Sequence, residues 1–98
     1  MNQTINNLIN QLKIYQPEKI ILFGSFAYGQ PNQNSDIDIA IIKKTKDSFH
    51  ERQKKARLII RSTVPVDIFV FTPEEFKKGK KNNLFVKEIA KTGKIIYG

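Results

Sequence analysis

Cysteine and tryptophan are absent from this 98-residue chain, and histidine and methionine occur once each. Without thiols neither disulfides nor thiolate metal sites are available, and an intracellular, cytoplasmic setting is the simpler expectation. His50 has no second histidine or cysteine at ligand spacing, which favours a surface histidine over a metal ligand or general base. Long apolar runs are missing too. None approaches the ~20 residues of a membrane span, and the N-terminus lacks the charged start and apolar core of a secretory signal. Acidic residues are scarce, nine against 17 basic ones, for a net charge of +8. That imbalance favours anionic partners such as nucleotides, nucleic acid or an acidic protein surface. It does not choose among them. No regular aromatic interleaving accompanies Lys43–Lys46, Arg52–Arg61 or Lys77–Lys81, so a solvated basic face is preferred to a base-stacking nucleic-acid platform.

With 40% hydrophobic residues, the chain can bury one core, and a single domain over residues 1–98 is expected. Ile5, Leu8, Ile9, Leu12 and Tyr15 recur at helical spacing before Pro17. Lys19 to Phe23 reads as a buried strand stopped by Gly24. A short turn or helix from Ser25 through Tyr28 and a polar loop from Gly29 to Ser35 precede a second strand, Asp36 to Ile42. A helix is expected from Ser48 to Ser62, with Phe49, Ala56, Ile59 and Ile60 inward and Arg52, Lys54, Lys55, Arg57 and Arg61 outward. Val66 to Phe71 alternates as a strand. Thr72-Pro73-Glu74-Glu75 has the form of a capping box, which makes its glutamates structural. Lys77 to Asn83 reads as a mobile basic loop. A helix over Leu84–Thr92, with Leu84, Phe85 and Ile89 at helical spacing, and a short strand over Lys94–Tyr97 complete the chain.

Chemistry concentrates between Ile20 and Ile42. The period of a strand puts Asp36, Asp38 and Ala40 on one face and Ile37, Ile39 and Ile41 on the other. The two carboxylates then point the same way, their backbones roughly 7 Å apart. Asp-Ile-Asp alone is ordinary, and Gly24-Ser25 alone is most often a turn with an N-cap. Together, ten residues apart and with Asp67 on a later strand, they suggest a divalent-cation and phosphate site. Glycine permits close approach to a ligand, and the serine hydroxyl and following amides can hold phosphate.

Gly-Ser, ten residues, Asp-x-Asp resembles the signature of the DNA polymerase β-type nucleotidyltransferases, most closely their minimal single-domain members. The resemblance extends to Val66-Asp67-Ile68-Phe69-Val70 and to the closing Glu88–Tyr97 segment. Strands alternating with helices already point to α/β architecture. The resemblance implies a small mixed sheet with helices packed mainly on one face. It further implies two magnesium ions, replaceable by manganese, held by Asp36, Asp38 and Asp67, with ATP as substrate and Gly24 and Ser25 at its triphosphate. Asp67 would take the acceptor proton. The implied acceptor is a tyrosine of a small helical toxin ribonuclease of the HEPN class, with this chain as antitoxin. One departure stands out: many members carry arginine where this chain reads Phe26-Ala27-Tyr28-Gly29. A competing expectation is a degenerate member that neutralises its partner by contact alone.

Overall fold

Alternation within three strands decides how the molecule is layered. The computed structural model describes residues 3–27 and 36–98. Strands β1 (Lys19–Phe23), β2 (Ile37–Ile42), β3 (Val66–Phe71) and β4 (Lys94–Tyr97) form one sheet in the order β3-β2-β1-β4. β2 runs antiparallel to β1 and parallel to β3, and β4 runs antiparallel to β1. The parallel step needs a crossover. Helix α2 (Phe49–Ile59) lies within it. The α/β expectation of a small mixed sheet with helices is met.

Ile37, Ile39 and Ile41 are fully buried and face the larger core. There they meet Ile5, Leu8 and Leu12 of α1 (Gln3–Leu12), Ala56 of α2 and Ile68 and Val70 of β3. The opposite face carries a smaller cluster of Ile21, Phe23, Ala40, Ile42 and Ile89, with Phe69, Phe71 and Phe76 packed against it. Helices α3 (Pro73–Asn82) and α4 (Leu84–Thr92) supply Phe76 and Ile89 to that side. α1 passes into a 3₁₀ turn at Lys13–Tyr15, and Gln16 closes it in the left-handed conformation before Pro17.

Several expectations need correction. Lys77–Asn83 is not a loop: residues 77–82 belong to α3 and Asn83 ends it. The Thr72–Glu75 capping box nucleates that helix, its glutamates and lysines match the helix dipole, and Gly79 lets α4 pack close, where a Cβ would sit 2.8 Å from Val86. α2 stops at Ile59, because Ile60 is extended. Phe49 is half exposed rather than inward, and Leu84 and Phe85 are also exposed.

Arg52, expected on the outside, is buried. It donates through Nε to the Asp47 carbonyl at 2.8 Å and forms a fork to Glu75 at 2.6 and 3.2 Å. A longer bond of 3.4 Å reaches the Val70 carbonyl. Beside it, the Gln53 amide accepts from the Val70 N–H at 3.0 Å and donates to the Ile68 carbonyl. β3 is an edge strand. Its outward backbone groups need partners, and these two side chains of α2 provide them.

Candidate active site

The site is a row drawn across three strands. Register sets Phe23 opposite Asp38 in β1 and β2, and Asp38 opposite Asp67 in β2 and β3. Parity then puts all three side chains on the face away from the isoleucines. Asp38 and Asp67 are both half-buried, and their carboxyl groups lie within hydrogen-bonding reach. Burial first, then the negative charges of Asp67 and Asp36, raises the Asp38 carboxyl above the ordinary aspartate value. Burial and the gathered like charge both disfavour its ionised form.

Asp36 stands apart. It lies one residue before β2 begins and is exposed, although its charge still acts on Asp38. As the side chains stand, no group of three acidic, histidine or cysteine residues among the described residues is arranged to hold a metal ion. The sequence expectation of a three-aspartate site is therefore only partly assembled: Asp38 and Asp67 meet, and Asp36 flanks them.

Gly24 and Ser25 belong to the same corner. β1 ends at Phe23, and a 3₁₀ turn over Gly24–Phe26 follows, closed by the Ala27 N–H on the Gly24 carbonyl at 3.0 Å. Gly24 has φ +73°, a conformation that disfavours side chains. A Cβ there would collide with the Asp38 Oδ2. The glycine is thus required twice, for the turn and for the close approach of the Asp38 carboxylate. Ser25 is half-buried on the turn beside it. The expected continuation through Tyr28 and the loop Gly29–Ser35 lie outside the described residues.

Two neighbours went unremarked as site residues in the sequence. Arg57, expected on the exposed side of α2 with partner or nucleotide contact only as the lesser alternative, brings Nη2 to 4.0 Å from Asp67 Oδ1. It follows Gln53 by one helical turn, so the amide that clamps α2 to the β3 edge also carries the guanidinium to Asp67. The other neighbour is aromatic: Phe23, Phe69 and Phe85 pack with ring centroids 5.0 to 6.0 Å apart. Helical spacing marked Phe85 only as core, and no local signal ties it to the acids. A separate groove of about 520 Å³, rimmed by Lys19, Lys77 and Lys80, contains none of the aspartates. No helix among the described residues is long and apolar enough to cross a membrane.

Chemically, the corner offers clustered carboxylate oxygens beside a glycine turn, with the Arg57 cation at the outer edge. Such oxygen donors suit hard divalent cations.

Comparison with known proteins gives concordant matches. Residues 3–98 match the family model described as polymerase beta, nucleotidyltransferase. Two Methanocaldococcus jannaschii proteins assigned as protein adenylyltransferases are similar to the chain. One is 33% identical over 76 residues, covering 78% of this chain and 75% of the relative. The other is 32% identical over 98 residues, covering 97% and 96%. Among solved structures, a toxin–antitoxin crystallised with AMP-PNP superposes with a TM-score of 0.64 at 26% identity, over 95% of this chain and 72% of the other. A nucleotidyltransferase from Sulfolobus solfataricus shares the fold, with a TM-score of 0.55 at 23% identity over 97% of this chain and 86% of the other.

Proposed function

Since the chain belongs to the polymerase β-type nucleotidyltransferases, we propose that it transfers AMP from ATP to a hydroxyl of a protein partner, as a cytoplasmic, single-domain antitoxin. The observation that carries this reading is the meeting of the Asp38 and Asp67 carboxylates on adjacent strands, with Asp38 packed against the Gly24 turn too closely for any side chain there. Packed carboxylates lower stability unless something offsets their charge. A bound cation would do so, and burial together with the neighbouring aspartates already raises the Asp38 carboxyl. The names of the relatives support adenylyl transfer to protein, and the toxin–antitoxin neighbour supports the antitoxin setting. The acceptor implied by the family resemblance is a tyrosine of a HEPN-type toxin.

Asp38 and Asp67, joined by Asp36, would hold magnesium. Magnesium, or manganese in its place, supplies charge neutralisation on the triphosphate and on the departing pyrophosphate. Gly24 and Ser25 seat the phosphates, the glycine by leaving its backbone accessible and the serine by donating its hydroxyl hydrogen to a phosphate oxygen. Asp67, at the outer strand, takes the proton of the acceptor hydroxyl as its oxygen bonds to the α-phosphorus. The bond from that phosphorus to the bridging oxygen breaks, and pyrophosphate leaves. Arg57 flanks Asp67 from the edge of the sheet.

A second reading is neutralisation by contact alone, favoured by the absence of arginine from Phe26-Ala27-Tyr28-Gly29. Stoichiometry separates the two. With magnesium and α-labelled ATP, catalytic amounts of the protein should label an excess of the toxin encoded beside it, adding AMP that persists after separation. Protection that needs equimolar protein, carries no label and survives Asp38→Asn with Asp67→Asn would overturn transfer.

A further inference from the structure

The aromatic trio is more than a plug for the smaller core. Phe23 lies across from Asp38, and Phe69 follows Asp67 by two positions on the same face. Phe23 therefore shares the row of the acids, and Phe69 stands one same-face position inward, roughly 7 Å along the strand. Ala40 of β2, opposite Phe69, has a small side chain that leaves Phe23 and Phe69 to approach diagonally across β2 with centroids 6.0 Å apart. Phe85 completes the group, edge-on to Phe23 at 5.6 Å and to Phe69 at 5.0 Å. Its backbone is anchored: the Asn83 side chain accepts from the Phe85 and Val86 N–H groups at 2.9 and 3.1 Å. Even so, 42% of Phe85 is exposed. A rigidly held, half-exposed ring beside a site for charged chemistry has π surface to offer.

From these positions we propose that the nucleobase of the bound nucleotide stacks on Phe85, with Phe69 and Phe23 as the wall behind it. The inference rests on the reading of this corner as a nucleotide site. Three observations select a base over the acceptor. The wall is aromatic, and base–aromatic stacking tolerates any base because each has a π face. Phe23 immediately precedes Gly24-Ser25, so the wall and the phosphate seat are neighbours in the chain. The opposite flank, beyond Asp67, is occupied by the Arg57 cation, an environment for an anion or a polar acceptor rather than for a base.

Calorimetry on the intact protein with magnesium tests this, using ATP and inorganic tripolyphosphate as probes. Wild-type protein should bind ATP more tightly than tripolyphosphate. Phe85→Ala should weaken ATP binding roughly tenfold, the effect of one lost stack, and leave tripolyphosphate binding unchanged. Phe85→Leu keeps apolar bulk and guards against a folding defect. It should weaken ATP nearly as much as alanine does and should abolish the upfield shift of the adenine protons expected on binding to wild type. Equal wild-type affinity for the two probes would overturn base stacking while leaving the triphosphate seat intact. So would unchanged ATP affinity in both variants, or a parallel loss for both probes. Failure of wild type to bind either probe would overturn the nucleotide reading together with this inference.

Discussion

The two faces of β2 answer to different demands. On one, Ile37, Ile39 and Ile41 are fully buried against α1 and α2, and every contact lowers the free energy of the fold. On the other, Asp38 stands half-buried against Asp67, and its raised carboxyl shows that ionisation there works against folding. One residue of translation along the strand separates a stabilising position from a destabilising one. The contrast teaches that on β2 and β3 the small core on the α3/α4 side stops at Ala40 and Phe69, because the next same-face positions, Asp38 and Asp67, are set aside for charge.

Exchanging the two demands should break that contrast. Asp67→Asn removes the proton acceptor while nearly keeping its shape, so labelled AMP transfer should fall by roughly 10²–10⁴-fold with thermal stability little changed. Ile39→Ala, whose backbone neighbours Asp38, should do the reverse. It should cost about 3 kcal/mol in denaturant unfolding and leave transfer per folded molecule nearly intact. Loss of activity in both, at equal folded concentration, would mean that the faces are not separable.

A smaller effect is expected where α2, β3 and α3 are tied together. Arg52 is 8% exposed at its side chain and Glu75 is 47% exposed, so the pair is only half removed from water. Arg52→Ala leaves the Asp47 and Val70 carbonyls short of a donor and should cost about 2 kcal/mol, below the range for fully buried pairs. Glu75 contributes with a definite sign. The Arg52 hydrogen bond, then the Thr72 backbone N–H, holds its carboxyl below the ordinary glutamate value. Its stabilisation is present above the unfolded value and is lost as pH falls through the lower folded value. Melting curves should therefore show wild type and Arg52→Ala converging in acid. A constant gap across that window would show that Arg52 acts through packing alone.

How much of this could be read in advance follows from the range of each interaction. Strand period placed Asp38 and the isoleucines on opposite faces, and the Thr72–Glu75 capping box was visible in four consecutive residues, because both signals are local. Arg52 looked like one more exposed cation among many. Its burial depends on an unpaired strand edge 18 residues away, which no window on α2 contains. Lys77–Asn83 read as loop because glycine and repeated lysine disfavour order, whereas Gly79 is where α4 packs against α3. In the site, motif spacing grouped Gly24-Ser25 with the aspartates, but the Gly24–Asp38 contact itself needed the fold. Arg57 and Phe85 reach the site only through the helices that carry them.

The smallest effect isolates what the acids cost. Asp38 is raised by burial and by the charges of Asp67 and Asp36, so its folded value lies above its unfolded one. Such a group favours the fold fully below the unfolded value, and that contribution disappears as pH rises through the folded value. At neutral pH the ionised Asp38 therefore works against folding in metal-free protein. Asp38→Asn, whose amide can donate a hydrogen bond toward Asp67, should melt higher than wild type in chelator. The difference should shrink as the pH is lowered through the folded value of Asp38 toward the ordinary aspartate range. Magnesium should narrow the neutral-pH gap by stabilising wild type more than the variant, since only wild type presents two carboxylates to the ion. A metal-free variant less stable than wild type at neutral pH would show that Asp38 is held by its contacts at Gly24 rather than strained by its neighbours, and the charge contrast between the two faces of β2 would fall.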